Sequence, residues 1–125
     1  MITVVISTYN RLVQLSNCLS SIDFKYVDEV LIFNDDEKKY LNKSDIKLKN
    51  VPLDIITIYQ PPDFGFHDRN FRKPFYINKA FELAKNKLVL ISDDDGVFNQ
   101  SCIKKHYDAL KKYKFCCGGI IKNNL

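Results

Sequence analysis

Three consecutive carboxylates, Asp93, Asp94 and Asp95, close an apolar run in the segment Leu88–Phe98, LVLISDDDGVF. A buried strand ending there concentrates negative charge at the carboxyl end of a sheet, where like charges a few Å apart repel unless a cation lies between them. Hard oxygen ligands at positions i and i+2 of a turn suit Mg2+ or Mn2+, ions that keep coordination positions open for phosphate oxygens. The plain alternative is a solvated turn whose aspartates cap a helix. The neighbouring segments decide between the two.

Those segments are polar in a related way. The first apolar run leads into Ser7-Thr8-Tyr9-Asn10-Arg11, hydrogen-bonding side chains around an aromatic ring able to stack on a base. The second leads into Asn34-Asp35-Asp36, acceptors for a ribose hydroxyl or a base N–H. Five apolar runs rich in Val and Ile recur, at 2–7, 27–33, 53–59, 87–92 and 114–121, and suit strands buried on both faces of a parallel sheet. Between them, Leu12, Leu15, Leu19 and Ile22 recur at helical spacing, as do Ile77, Ala80, Phe81 and Ala84, and then Ile103, Tyr107 and Leu110 as far as Lys114. Pro74 fits the first turn of the second helix, and Asn99 or Ser101 could cap the third. Alternating strands and helices predict an α/β, Rossmann-like layer with a mostly parallel sheet and helices on both faces. In such folds ligands bind beyond the carboxyl ends of the strands, where these polar segments fall.

With 125 residues, 46% hydrophobic and 27% charged, the chain is expected to form a single domain, residues 1–125. A net charge of +4 with lysines scattered among carboxylates gives no reason to infer nucleic acid as a partner. No apolar stretch reaches the roughly 18 to 20 residues of a membrane span, and MITVVIST does not resemble a signal peptide, so a cytoplasmic protein is expected. Cys18, Cys102, Cys116 and Cys117 lack a metal-binding spacing and are read as reduced core thiols. The 14-residue segment Gln60–Lys73 exceeds usual loop lengths and is a candidate lid, while His67 and His106 read as polar surface residues. Lys104, Lys105, Lys111, Lys112 and Lys114 gather on one side of the last helix, a solvated face that would also suit peripheral contact with anionic lipid.

Taken together, VVISTYNR before a leucine-rich helix, EVLIFNDD, and INKAFELAKNKLVLISDDD resemble the nucleotide-sugar glycosyltransferases of the GT-A fold, specifically the family 2 group. The resemblance runs from about Ile2 to Ile120 and rests on the order and spacing of these motifs. It implies a nucleotide sugar as donor, a UDP-sugar above all, and transfer to a saccharide, lipid or protein acceptor. Carried onto this sequence, it implies that Ser7 and Tyr9 contact the base, with Thr8 and Arg11 in the same nucleotide-binding loop. Asn34 and Asp35 would hold the base or ribose, Arg72 and Asn78 would stand near the nucleotide, and Asp94 would face the ribose or sugar. Asp93 and Asp95 would hold Mn2+ or Mg2+ between the two phosphates.

Three departures stand out. Asn34 replaces an Asp common in the family, and Ile77 replaces an Arg before the helix Asn, leaving Arg72 or Arg69 as substitutes. The family continues past the position of Ile120 into an acceptor half that carries the catalytic base, so a donor site without its base, truncated or purely binding, is expected. A different family shares part of the pattern: Ile91–Phe98 also fits the haloacid-dehalogenase phosphatase signature, with Asp93 as nucleophile and Asp95 as acid/base. That signature normally follows the first strand of its domain, and its downstream motifs have little room in the 27 residues after Phe98.

Overall fold

The computed structural model describes residues 1–46, 48, 50–64, 72–116 and 118. Its strands are β1 (Ile2–Thr8), β2 (Val27–Asn34), β3 (Ile56–Tyr59) and β4 (Leu88–Asp93), and its helices are α1 (Leu12–Ser20), α2 (Pro61–Phe64), α3 (Arg72–Leu83) and α4 (Cys102–Leu110). The strands form one sheet in the order β3-β2-β1-β4, and every pairing is parallel. This is the α/β, Rossmann-like arrangement that the alternating runs predict.

Side-chain alternation along the strands divides the core into two layers. Ile2, Val4 and Ile6 of β1 and Val30 and Ile32 of β2 pack with Leu15, Cys18 and Leu19 of α1 and Ile103 of α4. The intervening residues Val5, Leu31 and Phe33 face the opposite way and meet Tyr76 and Ala80 of α3. Helices therefore cover both faces, and the central strands β1 and β2 are buried on both sides, which accounts for their unbroken Val and Ile content.

Several expectations need correction. β4 stands at a sheet edge among the described residues, and Ile91 is 46% exposed, so this run is not buried on both faces. The third run yields a strand only from Ile56, because Pro52 has no N–H to give a ladder and Leu53–Ile55 form a 3-10 turn instead. The described part of the fifth run, Lys114–Cys116 and Gly118, is not strand, and Phe115 projects outward; glycine-containing sequence gives poor strand support. Residues 117 and 119–121 of that run, and 65–71 of the proposed lid with His67 and Arg69, lie outside the described residues. The stripe that α3 buries is Arg72, Tyr76 and Ala80, whereas Phe81 is exposed, and in α1 Leu12 is exposed as well. Pro74 does occupy the first turn of α3, and Ser101 stands at the amino end of α4 without a capping side-chain bond.

Leu15 is fully buried between α1 and the sheet, while Val13 on the same helix is exposed. We expect Leu15→Ala to lower unfolding free energy by about 2–5 kcal/mol and Val13→Ala to change it by no more than about 0.5 kcal/mol, measured from urea midpoints. Equal losses at the two positions would contradict this placement of the core.

Candidate functional site

Parallel register brings three strand ends level. Ser7 pairs with both Phe33 and Asp93, Thr8 pairs with Asn34, and the backbone N–H of Asp35 donates to the carbonyl of Thr8 at 2.8 Å. The chain then reverses direction at Asn10, whose φ of 51° is a left-handed conformation that asparagine tolerates better than most residues. The reversal lets α1 start at Leu12 and leaves Tyr9 and Arg11 at the rim.

An open cavity of about 290 Å3 occupies this edge, lined by Ser7, Thr8, Tyr9, Arg11, Asp35, Lys73, Tyr76 and the three aspartates of β4 and its turn. Each aspartate has a different setting. Asp93, in the alternation class of Val89, projects to the α3 side and meets Lys73 Nζ at 3.2 Å. Asp94 is buried; Thr8 Oγ1 donates to its Oδ2 at 2.9 Å, and Arg11 Nη1 stands 3.5 Å from its Oδ1. The same Arg11 atom is 3.5 Å from Asp95 Oδ2, which is exposed. One arginine thus spans two adjacent carboxylates.

On the β2 side, Arg72 is fully buried. Its Nη1 lies 3.1 Å from Asp35 Oδ1, its Nη2 pairs with Glu37, and its Nε meets no acceptor among the described residues. Arg72 therefore sets Asp35 and does not itself line the cavity. Asn34 is also committed to structure: its Nδ2 donates to Gln60 Oε1 at 2.8 Å and to the carbonyl of Lys39 at 3.0 Å, holding the loop after β2. Asn78 lies on the exposed face of α3, outside the cavity lining.

The structure brings together Ser7, Thr8, Tyr9, Arg11, Asp35, Asp93, Asp94 and Asp95, and sets Asn34, Arg72 and Asn78 apart from that lining. Sequence reasoning missed Lys73 and Tyr76. Tyr76 belongs to the i, i+4, i+8 series of Arg72, Tyr76 and Ala80, a helical signal hidden because the series begins with an arginine. Its ring stacks on Phe33 at 5.3 Å, and Phe33 stacks on Tyr59 at 5.0 Å. Burial pushes the Tyr76 hydroxyl above its usual titration range, opposed by a hydrogen bond with Ser7.

Among the described residues no three His, Cys, Asp or Glu side chains converge as a closed metal cage would require. A cation that bridges phosphates needs less, since Mg2+ is commonly held by one or two carboxylates with water and ligand oxygens completing the shell. The exposed carboxylates of Asp93 and Asp95, on one turn and facing one cavity, fit that hard-oxygen chemistry.

Fold and site together define a Rossmann-like α/β domain with an acidic cavity at the carboxyl edge of its sheet. The sequence pattern of Glycosyl transferase family 2 matches residues 3–125, and the chain belongs to that family. Comparison with curated proteins and with solved structures gave no match. Membership places the Asp93–Asp95 turn in a glycosyltransferase-type domain, not in a dehalogenase-type phosphatase.

Beneath the aspartates, Cys18 of α1 is fully buried and its Sγ stands 3.7 Å from the carbonyl oxygen of Asp93. Burial pushes its thiol up to about 11, a hydrogen bond with Ser92 opposes this, and the carboxylates of Asp94, Asp95 and Asp93 add to the rise. Because the folded protein keeps this proton after the unfolded chain has lost it, the contribution to stability is complete below pH 9 and disappears between about 9 and 11. We expect stability to fall more steeply over that interval in the parent than in Cys18→Ala, measured by denaturant titration at stepped pH. Identical slopes would show that the thiol is not shielded as described.

Proposed function

We propose that the cavity binds a nucleoside diphosphate sugar, with a UDP-sugar as the donor class, and that Asp93 and Asp95 hold Mn2+ or Mg2+ against the diphosphate for transfer of the sugar to a saccharide, lipid or protein acceptor. One observation carries this reading: among the described residues the lining holds four carboxylates, Asp35, Asp93, Asp94 and Asp95, against two cationic side chains, Arg11 and Lys73. The excess of two negative charges would repel a diphosphate and is what one divalent cation balances. When bound, that cation stabilises charge developing on the leaving diphosphate.

The remaining roles follow from position. Tyr9, 39% exposed at the rim, offers a ring for the base, with Ser7 and Thr8 supplying hydroxyls beside it. Asp35, oriented by Arg72, presents a carboxylate to the base or ribose. Asp94 is held by Thr8 at the inner wall, where it fixes the turn and faces the ribose or sugar. Arg11 and Lys73 are about half exposed and can exchange their aspartate partners for phosphate oxygens as the cation enters. Arg72 supports the site from behind, and Asn34 holds the loop that carries Asp35. A cytoplasmic setting accords with the free thiols of Cys18, Cys102 and Cys116.

Calorimetric titration with UDP and UDP-sugars tests the proposal. Binding should require Mn2+ or Mg2+ and vanish with a chelator, and Asp95→Ala should abolish the metal-dependent part while leaving the circular dichroism spectrum unchanged. Tyr9→Ala should weaken binding by about 1–3 kcal/mol through lost stacking. Affinity that survives chelation or the Asp95 substitution would remove the metal from the site, and unchanged affinity in Tyr9→Ala would displace the base. Binding without UDP release under a range of acceptors would identify a donor-binding module that does not catalyse transfer.

A further inference from the structure

The net charge of the chain is localised. The segment from Lys104 to Phe115 contains five lysines and one aspartate, and the other fourteen basic and fourteen acidic residues of the protein cancel, so this stretch accounts for the whole net charge of +4. Lys104, Lys105 and Asp108 of α4 and Lys111 at its carboxyl end are exposed, whereas Ile103 is buried. The basic run continues past the helix end through Lys112, Tyr113, Lys114 and Phe115, all exposed.

Two of these residues are aromatic. Tyr113 is 61% and Phe115 is 77% exposed, and Phe115 has the greatest exposure among the large hydrophobic side chains of the described residues. Asp108 pairs with Lys104 and Lys111, at 2.6 and 3.7 Å, and Lys111 also sits over the Tyr107 ring. Among the described residues no carboxylate pairs with Lys105, Lys112 or Lys114. A solvated helix face accounts for lysines alone but does not account for two exposed rings interleaved with them. That combination is the one that lies flat on an anionic bilayer, lysines reaching the headgroups while aromatic rings enter the interface.

We propose that the α4 face and the Lys111–Phe115 stretch form a peripheral docking surface for anionic lipid bilayers. The surface is built from residues that take no part in the acidic cavity, so it stands or falls independently of the donor-site reading. No helix among the described residues is long and apolar enough to cross a membrane, and the contact proposed is interfacial.

Co-sedimentation of the full chain with phosphatidylcholine vesicles, with and without phosphatidylserine, tests it. Binding should require phosphatidylserine and weaken steeply as salt is raised. Replacing Lys111, Lys112 and Lys114 with alanine should lower affinity on the order of a hundredfold, about fivefold per lysine. Tyr113→Ala combined with Phe115→Ala should weaken binding while preserving its salt dependence. Each variant must keep the parent circular dichroism spectrum, and UDP titration of the variants reads the cavity separately. Equal binding to vesicles lacking phosphatidylserine, parent-like binding by the triple variant, or capture by heparin with no vesicle binding would each overturn the proposal.

Discussion

Parallel strands of matched length deliver carboxylates from two segments to one edge, and charges of one sign at such spacing are tolerated only with cations among them. The chain supplies those cations from helix amino termini. Arg11 stands at the N-cap of α1 without a capping side-chain bond, and Arg72 and Lys73 open α3, while neither helix has an acidic residue in its first turn. Positive charge there opposes the helix dipole, so both helices give up a local preference. Sequences that break a local rule in this way usually do so where function imposes another demand, and both violations here face the same edge.

The three cations differ in permanence. Arg72 is fully buried and contacts Asp35 and Glu37 from two guanidinium nitrogens, a geometry an ammonium would not reproduce. It ties the loop after β2 to α3 and holds Asp35 from behind. Arg11 and Lys73 are solvent-accessible, and their contacts of 3.2–3.5 Å to the aspartates are the kind that exchange easily. A fixed wall on the β2 side and an exchangeable wall on the β1 and β4 side follow from this difference in burial alone.

Much of this was legible in the residues. Runs of Val and Ile gave the central strands because β1 and β2 are buried on both faces, and the polar segments closing them marked the edge at which Ser7, Thr8, Tyr9, Asp35 and the three aspartates now meet. The illegible parts have physical causes. Nothing in the pattern LVLISD distinguishes an edge strand from an inner one, since that depends on which strands lie beside it, and so β4 is more exposed than its composition suggests. Asn34 reads as a ligand, but asparagine is equally suited to holding a loop, and the positions of Gln60 and the Lys39 carbonyl that its amide meets could not be read from the residues. Arg72 reads as a nucleotide contact because a guanidinium just before the Asn78 helix could offset diphosphate charge, whereas the fold sets it behind Asp35; Tyr76 went unseen because its stripe is headed by a charged residue.

Outside Lys104–Phe115 the chain is neutral, yet within that neutral part the described residues of the cavity lining keep two more carboxylates than cations. Exposed lysines of the described surface outside the cavity, such as Lys25, Lys43 and Lys87, are screened by solvent and salt within about 10 Å. The cavity's deficit, by contrast, sits in a concave site with Asp94 buried at its wall, where screening is weaker and a mobile counter-ion is concentrated. Distant lysines cannot neutralise that deficit; under the proposed function a divalent ion held by Asp93 and Asp95 would. On that proposal the acidic edge would favour an anion that arrives with a cation over one that arrives alone.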